Sequence, residues 1–309
     1  MAATPARGRV FRFFDSDVFY SFRRRPGVIL SAAIVAAFVI AAVFAHWVAP
    51  HNPFDLATLN LLDAFTPPAF TGKGNPTYFL GTDDQGRDVL SAIIYGSRMS
   101  LLVGLLATLL AMIVGVSLGL LSGYAGGKID AFIMRVADVQ LSFPAILIAL
   151  LVDGLARAAL PRAMHDQLAL YVLVLAIAAS GWVRYARTVR GSTLVERNKE
   201  YVQAARVIGR HPMAIMFTHV LPNALVPVLV LVTLHIGEAI ITEATLSFLG
   251  VGVPPTQPSL GTLIRIGNDF LFSGEWWITV FPGAALVLLV LAINVLGDWL
   301  RDAINPRLR

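Results

Sequence analysis

Cysteine is absent from the sequence, which excludes disulfides, zinc–thiolate sites and thiol catalysis. Charge is scarce: Asp, Glu, Lys and Arg make up 14% of the residues, against about 25% in ordinary soluble domains. With 57% hydrophobic residues, the chain has too little polar side chain to cover a water-facing surface, so lipid is the solvent that the composition points to. No tandem repeat, low-complexity tract or HExxH motif occurs, and Asn75-Pro76-Thr77 is no glycosylation site because proline holds its middle position. The net charge of +5 is not laid out as basic patches interleaved with exposed aromatics, which argues against nucleic acid as a partner.

What is present is a series of apolar runs. A spanning helix needs roughly 20 such residues. Six segments meet or approach that length: Val28–Ala49, Met99–Gly123, Ala131–Leu151, Leu168–Ala186, Val220–Leu249 and Trp276–Leu300. The third contains Arg135, Asp138 and Pro144. The fifth exceeds one crossing and carries His235, Glu238 and Glu243, so a break is expected near Gly237. Val43-Phe44-Ala45 resembles a signal-peptidase site, but the run before it is longer than a signal sequence needs, and the first segment reads as a retained span.

The expectation is an all-α membrane protein of six transmembrane helices. Of 24 Lys and Arg residues, eighteen fall before the first span, in the second-to-third and fourth-to-fifth connections and in the tail, leaving six on the other side. By the positive-inside rule both termini are cytoplasmic. The organisation is then a cytoplasmic segment over 1–27, a first span over 28–49, a periplasmic loop over 50–98, a five-span core over 99–300 with a cytoplasmic loop over 187–219, and a tail over 301–309. In the periplasmic loop, Thr82 followed by Gln85 matches a capping box, which predicts a helix starting at Asp83.

Several motifs fail on context. Gly115-Val116-Ser117-Leu118-Gly119 fits a nucleophile elbow, but it lies in an apolar helix without a sheet. Gly115, Gly119 and Gly123 read instead as a small-residue stripe for close helix packing. Gly126-Gly127-Lys128 lacks the rest of a phosphate loop, and Asp83, Asp84 and Asp88 lack calcium-ligand spacing. No catalytic or metal-ligating residues are assigned. Three acidic residues inside apolar segments cost on the order of 2.5–3.5 kcal/mol each if unpaired at mid-bilayer. Glu238, Glu243 and Asp138 are therefore candidates for a pore or gate, with pairing to Arg135 one turn away as the structural alternative for Asp138.

The most informative stretch is polar. Tyr201-Val202-Gln203-Ala204-Ala205-Arg206-Val207-Ile208-Gly209 reads as a short helix ending at Gly209. A turn at His211-Pro212 and a second helix follow. Small residues at Ala204 and Ala205 let another surface approach its backbone, so it is either a docking helix or an ordinary solvated loop helix.

This segment, with Leu221-Pro222 downstream, resembles the EAA motif of the permease subunits of bacterial ABC importers, in which it forms the coupling helix that docks on the ATPase. Ala204, Ala205, Gly209, Leu221 and Pro222 match, and Gln203 stands where glutamate is usual. Leu80-Gly81-Thr82-Asp83-Asp84-Gln85-Gly86-Arg87-Asp88, Leu141-Ser142-Phe143-Pro144 and Glu243-Ala244-Thr245-Leu246-Ser247-Phe248-Leu249-Gly250 are similar to segments of dipeptide, oligopeptide and nickel permeases of the second-subunit type. The chain departs from that pattern in the polar connection Asp153–Gln167, at Leu260 and at Asn305. The resemblance implies a type I importer permease fold and a half-pore that is not itself an enzyme. It implies a coupling helix comprising Gln203, Ala204, Ala205, Arg206 and Gly209 with Leu221 and Pro222. It also implies a homologous second permease, two ATP-binding subunits that carry ATP and Mg, and a periplasmic solute-binding protein as partners. No cofactor is expected on this chain. The competing classes are an ion-driven secondary transporter, which would show inverted repeats, and a channel subunit, which would show a filter or charged ring.

Overall fold

The computed structural model describes residues 17–55, 59–254 and 256–304. Arg7, Arg9, Arg12, Asn305, Arg307 and Arg309 lie outside them. Helix α1 is Pro26–Val43, with Pro26 in the first turn, where no N–H is required. Helix α2 is Val89–Ala125; its 37 residues rise about 55 Å, so it crosses a bilayer and continues beyond it. Helices α3 (Gly127–Leu141) and α4 (Ala145–Ala159) meet at a bend of 98°. Then follow α5 (His165–Glu196), α6 (Glu200–Val207), α7 (Val226–Phe248), α8 (Leu260–Asn268) and α9 (Trp277–Ile304). Five helices are long and apolar enough to cross a membrane, or six if the bent α3–α4 pair counts as one. Among the described residues the only β-contact is an isolated bridge between Thr82 and Asp88.

Three expectations are corrected. The third span is not one continuous helix over Ala131–Leu151: Pro144 lacks an N–H and forces its predecessor out of the helical region, so the chain turns at Ser142–Pro144. The fifth span has no break at Gly237. A Cβ there would lie 2.7 Å from Asn294 Oδ1 of α9, so that glycine serves close approach. The irregularity falls lower, in a π turn over Met216–Val220 and a short helix at Leu221–Ala224. Finally, no helix starts at Asp83. The Asp83 carboxylate is committed to Arg87, receiving its Nε at 2.6 Å and its backbone N–H at 2.9 Å. The cap of α2 is Asp88, which accepts from Ser91 N at 2.9 Å.

The buried Asp83–Arg87 pair orders the loop before α2. Thr82 O accepts the Trp277 indole N–H of α9 at 3.0 Å, and Thr66 N donates to Thr82 Oγ1 at 2.8 Å. This loop thus folds onto the start of α9 and marks one end of the bundle, the loop end.

The most extensive helix pairing is between α2 and α5. It is made by the predicted glycine stripe. A Cβ at Gly115 would meet Trp182 O at 2.4 Å, one at Gly119 would meet Ala186 O at 2.4 Å, and one at Gly123 would meet Thr193 Cβ at 2.7 Å. Each distance is below any real Cβ contact, so alanine in this stripe must push the helices apart. Gly119→Ala should therefore lower stability by about 1–3 kcal/mol, read as a fall in the melting temperature of the detergent-purified protein. Gly154→Ala in α4, with nothing within 4 Å, should leave it unchanged or raise it. Equal shifts for the two variants would contradict the packing argument.

Candidate coupling helix and charged path

Helix α6 stands at the end of the bundle opposite the loop end. Its Val202 and Ala205 are buried and pack with Leu120 of α2, Tyr185 and Val189 of α5, and Ile215, Met216 and Val220 from the irregular stretch before α7. Ala205 therefore anchors the helix and offers no outward surface. Gln203, Ala204 and Arg206 are exposed. Gln203 Nε2 donates back to Asn198 O at 3.0 Å, and the Arg206 guanidinium lies 5.6 Å above the Tyr124 ring. The helix ends where Gly209 adopts φ +78°, a left-handed conformation suited to a residue without Cβ. Leu221 is half-buried and Pro222 exposed, at the foot of α7. The sequence reading missed the two residues at the tip. Val207 is 88% exposed and Ile208 80%, so two apolar side chains project at the end of a polar helix. Their signal was available: apolar residues placed directly before a helix-ending glycine in a charged loop.

A second set of contacts fixes α6 to α5. Tyr201 OH donates to Glu196 Oε2 at 2.5 Å and accepts from Asn223 Nδ2 at 3.0 Å, and Lys199 pairs with Glu196 at 2.6 Å. Burial, followed by the Glu196 carboxylate, pushes the Tyr201 hydroxyl above its ordinary pKa and keeps it a neutral donor.

Above α6 runs a ladder of arginines on α5. Arg184 forks onto Glu238 of α7, with Nη2 to Oε1 at 2.8 Å. Arg187 reaches Asp138 of α3 at 2.5 Å. Arg190 binds both oxygens of Asp130 at 2.5 and 2.7 Å, and Ser122 of α2 donates to the same carboxylate. Directly after α5, Arg197 Nη1 donates to Gly123 O at 2.8 Å. Beside the ladder, Trp182 Nε1 donates to Gln140 Oε1 at 2.8 Å. Asp138 is thus paired with Arg187, a residue remote in sequence, and not with Arg135. Glu238 and Asp138 are half-exposed and keep an open face.

Glu243 behaves differently. It is fully buried, accepting from Ser100 Oγ of α2 and Ser247 Oγ of its own helix, each at 2.7 Å. Ser100 Oγ in turn accepts from Leu260 N at the start of α8 at 3.3 Å. This carboxylate ties α2, α7 and α8 together and lines no open path, which corrects its reading as a pore or gate residue. Among the described residues no group of three or more His, Asp or Glu is placed to hold a metal ion.

Comparison with known proteins adds the family. Residues 115–309 match the model described as binding-protein-dependent transport system inner membrane component, and residues 14–68 match the N-terminal transmembrane domain of oligopeptide transport permease C. The dipeptide transport system permease protein DppC of Escherichia coli is 40% identical over 293 residues, covering 95% of this chain and 93% of that protein. DppC of Haemophilus influenzae is 37% identical, covering 95% of each. The oligopeptide transport system permease protein OppC of Bacillus subtilis is 34% identical, covering 95% of this chain and 90% of that one. Among solved structures, an inward-facing form of the MetNI methionine ABC transporter superposes with a TM-score of 0.54 at 20% identity, covering 70% of this chain and 97% of that one. An amino acid ABC transporter with histidines gives 0.51 at 17% identity, covering 69% and 94%. These likenesses establish the fold as that of ABC importer permeases. The chain belongs to the family of binding-protein-dependent transport system inner membrane components and is a multi-pass transport permease of the inner membrane.

Proposed function

We propose that this chain is one permease of an ATP-driven importer of dipeptides, oligopeptides or a related small solute. It forms half of the pore beside a homologous second permease. Two ATP-binding subunits carry ATP and Mg and dock at α6, and a periplasmic solute-binding protein delivers cargo at the loop end, with both chain ends cytoplasmic. The names of the relatives support the cargo class. The observation that carries the coupling assignment is the exposed Val207–Ile208 tip on a helix whose other face is packed into α2 and α5. A load applied to that tip reaches α5 through Val202 and Ala205, and through the arginine ladder it reaches α3 and α7. Glu238 and Asp138 lie where these helices meet and serve as gate residues, Glu243 as a structural anchor.

Two experiments test this. Ile208→Asp places a charge in the proposed apolar contact, and should abolish co-purification of the ATP-binding subunits and peptide uptake while the membrane level stays normal. Gln203→Glu, which restores the residue usual in the family, should leave both intact. Undiminished co-purification with Ile208→Asp would remove the docking assignment, and uptake that persists without the ATP-binding subunits would point to an ion-driven carrier. In the second experiment, Glu238→Gln leaves Arg184 without its counter-charge while the subunits still assemble. ATP hydrolysis in proteoliposomes should continue with uptake reduced about tenfold or more, the scale of one charge-assisted hydrogen bond. An unchanged ratio of uptake to hydrolysis would exclude Glu238 from the gate.

A further inference from the structure

The polar connection Asp153–Gln167 borders a cavity at the loop end. Arg157, His165 and Asp166 from this connection face Gly250 and Gly252 of the segment after α7, and Arg265 of α8, around a volume of about 140 Å³. Leu260 is buried at the first turn of the helix that carries Arg265.

Arg265 requires explanation. Its Nε is shut off from solvent and has no hydrogen-bond partner, and no carboxylate pairs with its guanidinium among the described residues. A guanidinium donor held away from water without an acceptor is costly, so an incoming acceptor at this position is favoured. Its neighbours are partly committed. Arg157 gives its Nε to Asp153 at 2.6 Å, with no partner for its terminal nitrogens among the described residues, and His165 Nε2 lies 3.0 Å from Leu160 O. Asp166, exposed at the rim, is the one carboxylate lining this cavity, against two guanidiniums. Asp153 offsets Arg157, so Arg265 is the guanidinium of this cavity that lacks a carboxylate of its own among the described residues, and the forked donor geometry of a guanidinium matches the two oxygens of a carboxylate. The frame is rigid as well: α8 is joined through Leu260 N and Ser100 Oγ to the buried Glu243.

We propose that Arg265, assisted by Arg157, is a receptor for a single carboxylate group at the loop end of this chain. The inference rests on the proposed function, because the cargo class named there ends in a carboxylate. An acidic side chain on the solute-binding protein is the other source of the same chemistry.

The complete transporter, reconstituted in proteoliposomes and nanodiscs, separates these sources. Uptake is measured for a dipeptide and its C-terminal amide, and the affinity of the purified solute-binding protein is measured on the embedded complex, for wild type, Arg265→Gln, Arg265→Lys and Arg157→Gln. If the cargo supplies the carboxylate, Arg265→Gln slows the free dipeptide about tenfold or more. The amide and the binding-protein affinity are then unaffected, and Arg265→Lys recovers part of the loss. If the binding protein supplies it, its Kd weakens by a similar factor and both peptides slow alike. Wild-type uptake and affinity in an assembled Arg265→Gln complex overturn the proposal. Where Arg265→Gln fails to assemble, as read by co-purification of the subunits, Arg157→Gln at the exposed rim carries the same test, and wild-type behaviour there overturns the two-guanidinium site. Should the wild-type complex take up no peptide at all, the cargo reading fails, and the binding-protein arm alone decides the carboxylate site.

Discussion

At three points between α2 and α5 there is no space for a side chain. Gly115, Gly119 and Gly123 bring the backbone of one helix against that of the other, and this spacing governs what else the bundle can do. Lipid gives helices little hydrophobic reason to associate, so close van der Waals contact between small residues has to supply the attraction. With α5 held at that distance, Arg190 reaches Asp130 beside Ser122, and Arg197 reaches the carbonyl of Gly123 at the end of the stripe. A wider separation would leave these cations without partners at the edge of an apolar layer. The glycines and the arginines are thus one device: the first set the distance, and the second use it.

The same arrangement explains why a short polar helix can act on a membrane-embedded bundle. Helix α6 is joined to α5 by packing at Val202 and Ala205 and by the Glu196–Tyr201–Asn223 hydrogen bonds. From α5 the connections run sideways through ion pairs, to α3 at Asp130 and Asp138 and to α7 at Glu238. The half-exposed pairs at Asp138 and Glu238 are weak individually and can exchange partners. The fully buried Glu243, held by two hydroxyls, has no such freedom. The bundle therefore has a fixed part around α2, α7 and α8 and an adjustable part along one face of α5.

Much of this was legible in the residues. The spans followed from composition, because apolar runs of that length have no other solvent. The stripe followed from glycines four apart, and the end of α6 from Gly209. What was missed depended on partners far away in sequence. Asp138 has an arginine three residues off, yet it takes Arg187, 49 residues away on α5. Glu243 reads as a costly intramembrane charge until Ser100 is placed beside it. Thr82 and Gln85 carry the signature of a helix start, but Arg87 claims Asp83 and moves the start to Val89. The π turn over Met216–Val220 has no local signature, and so the irregularity was assigned to the conspicuous Gly237.

The arginine ladder also bears on the order in which the protein can be made. Asp130 and Asp138 precede α5 in the chain, so Arg190 and Arg187 find their counter-charges already synthesised when α5 emerges. Arg184 does not: Glu238 follows it by 54 residues. Until α7 arrives, that guanidinium must stay at the membrane surface, since entering the apolar layer alone costs on the order of 2.5–3.5 kcal/mol. Of the acidic partners of the ladder, Glu238 is thus the last to be synthesised, and the Arg184–Glu238 contact is the last of its ion pairs that can form.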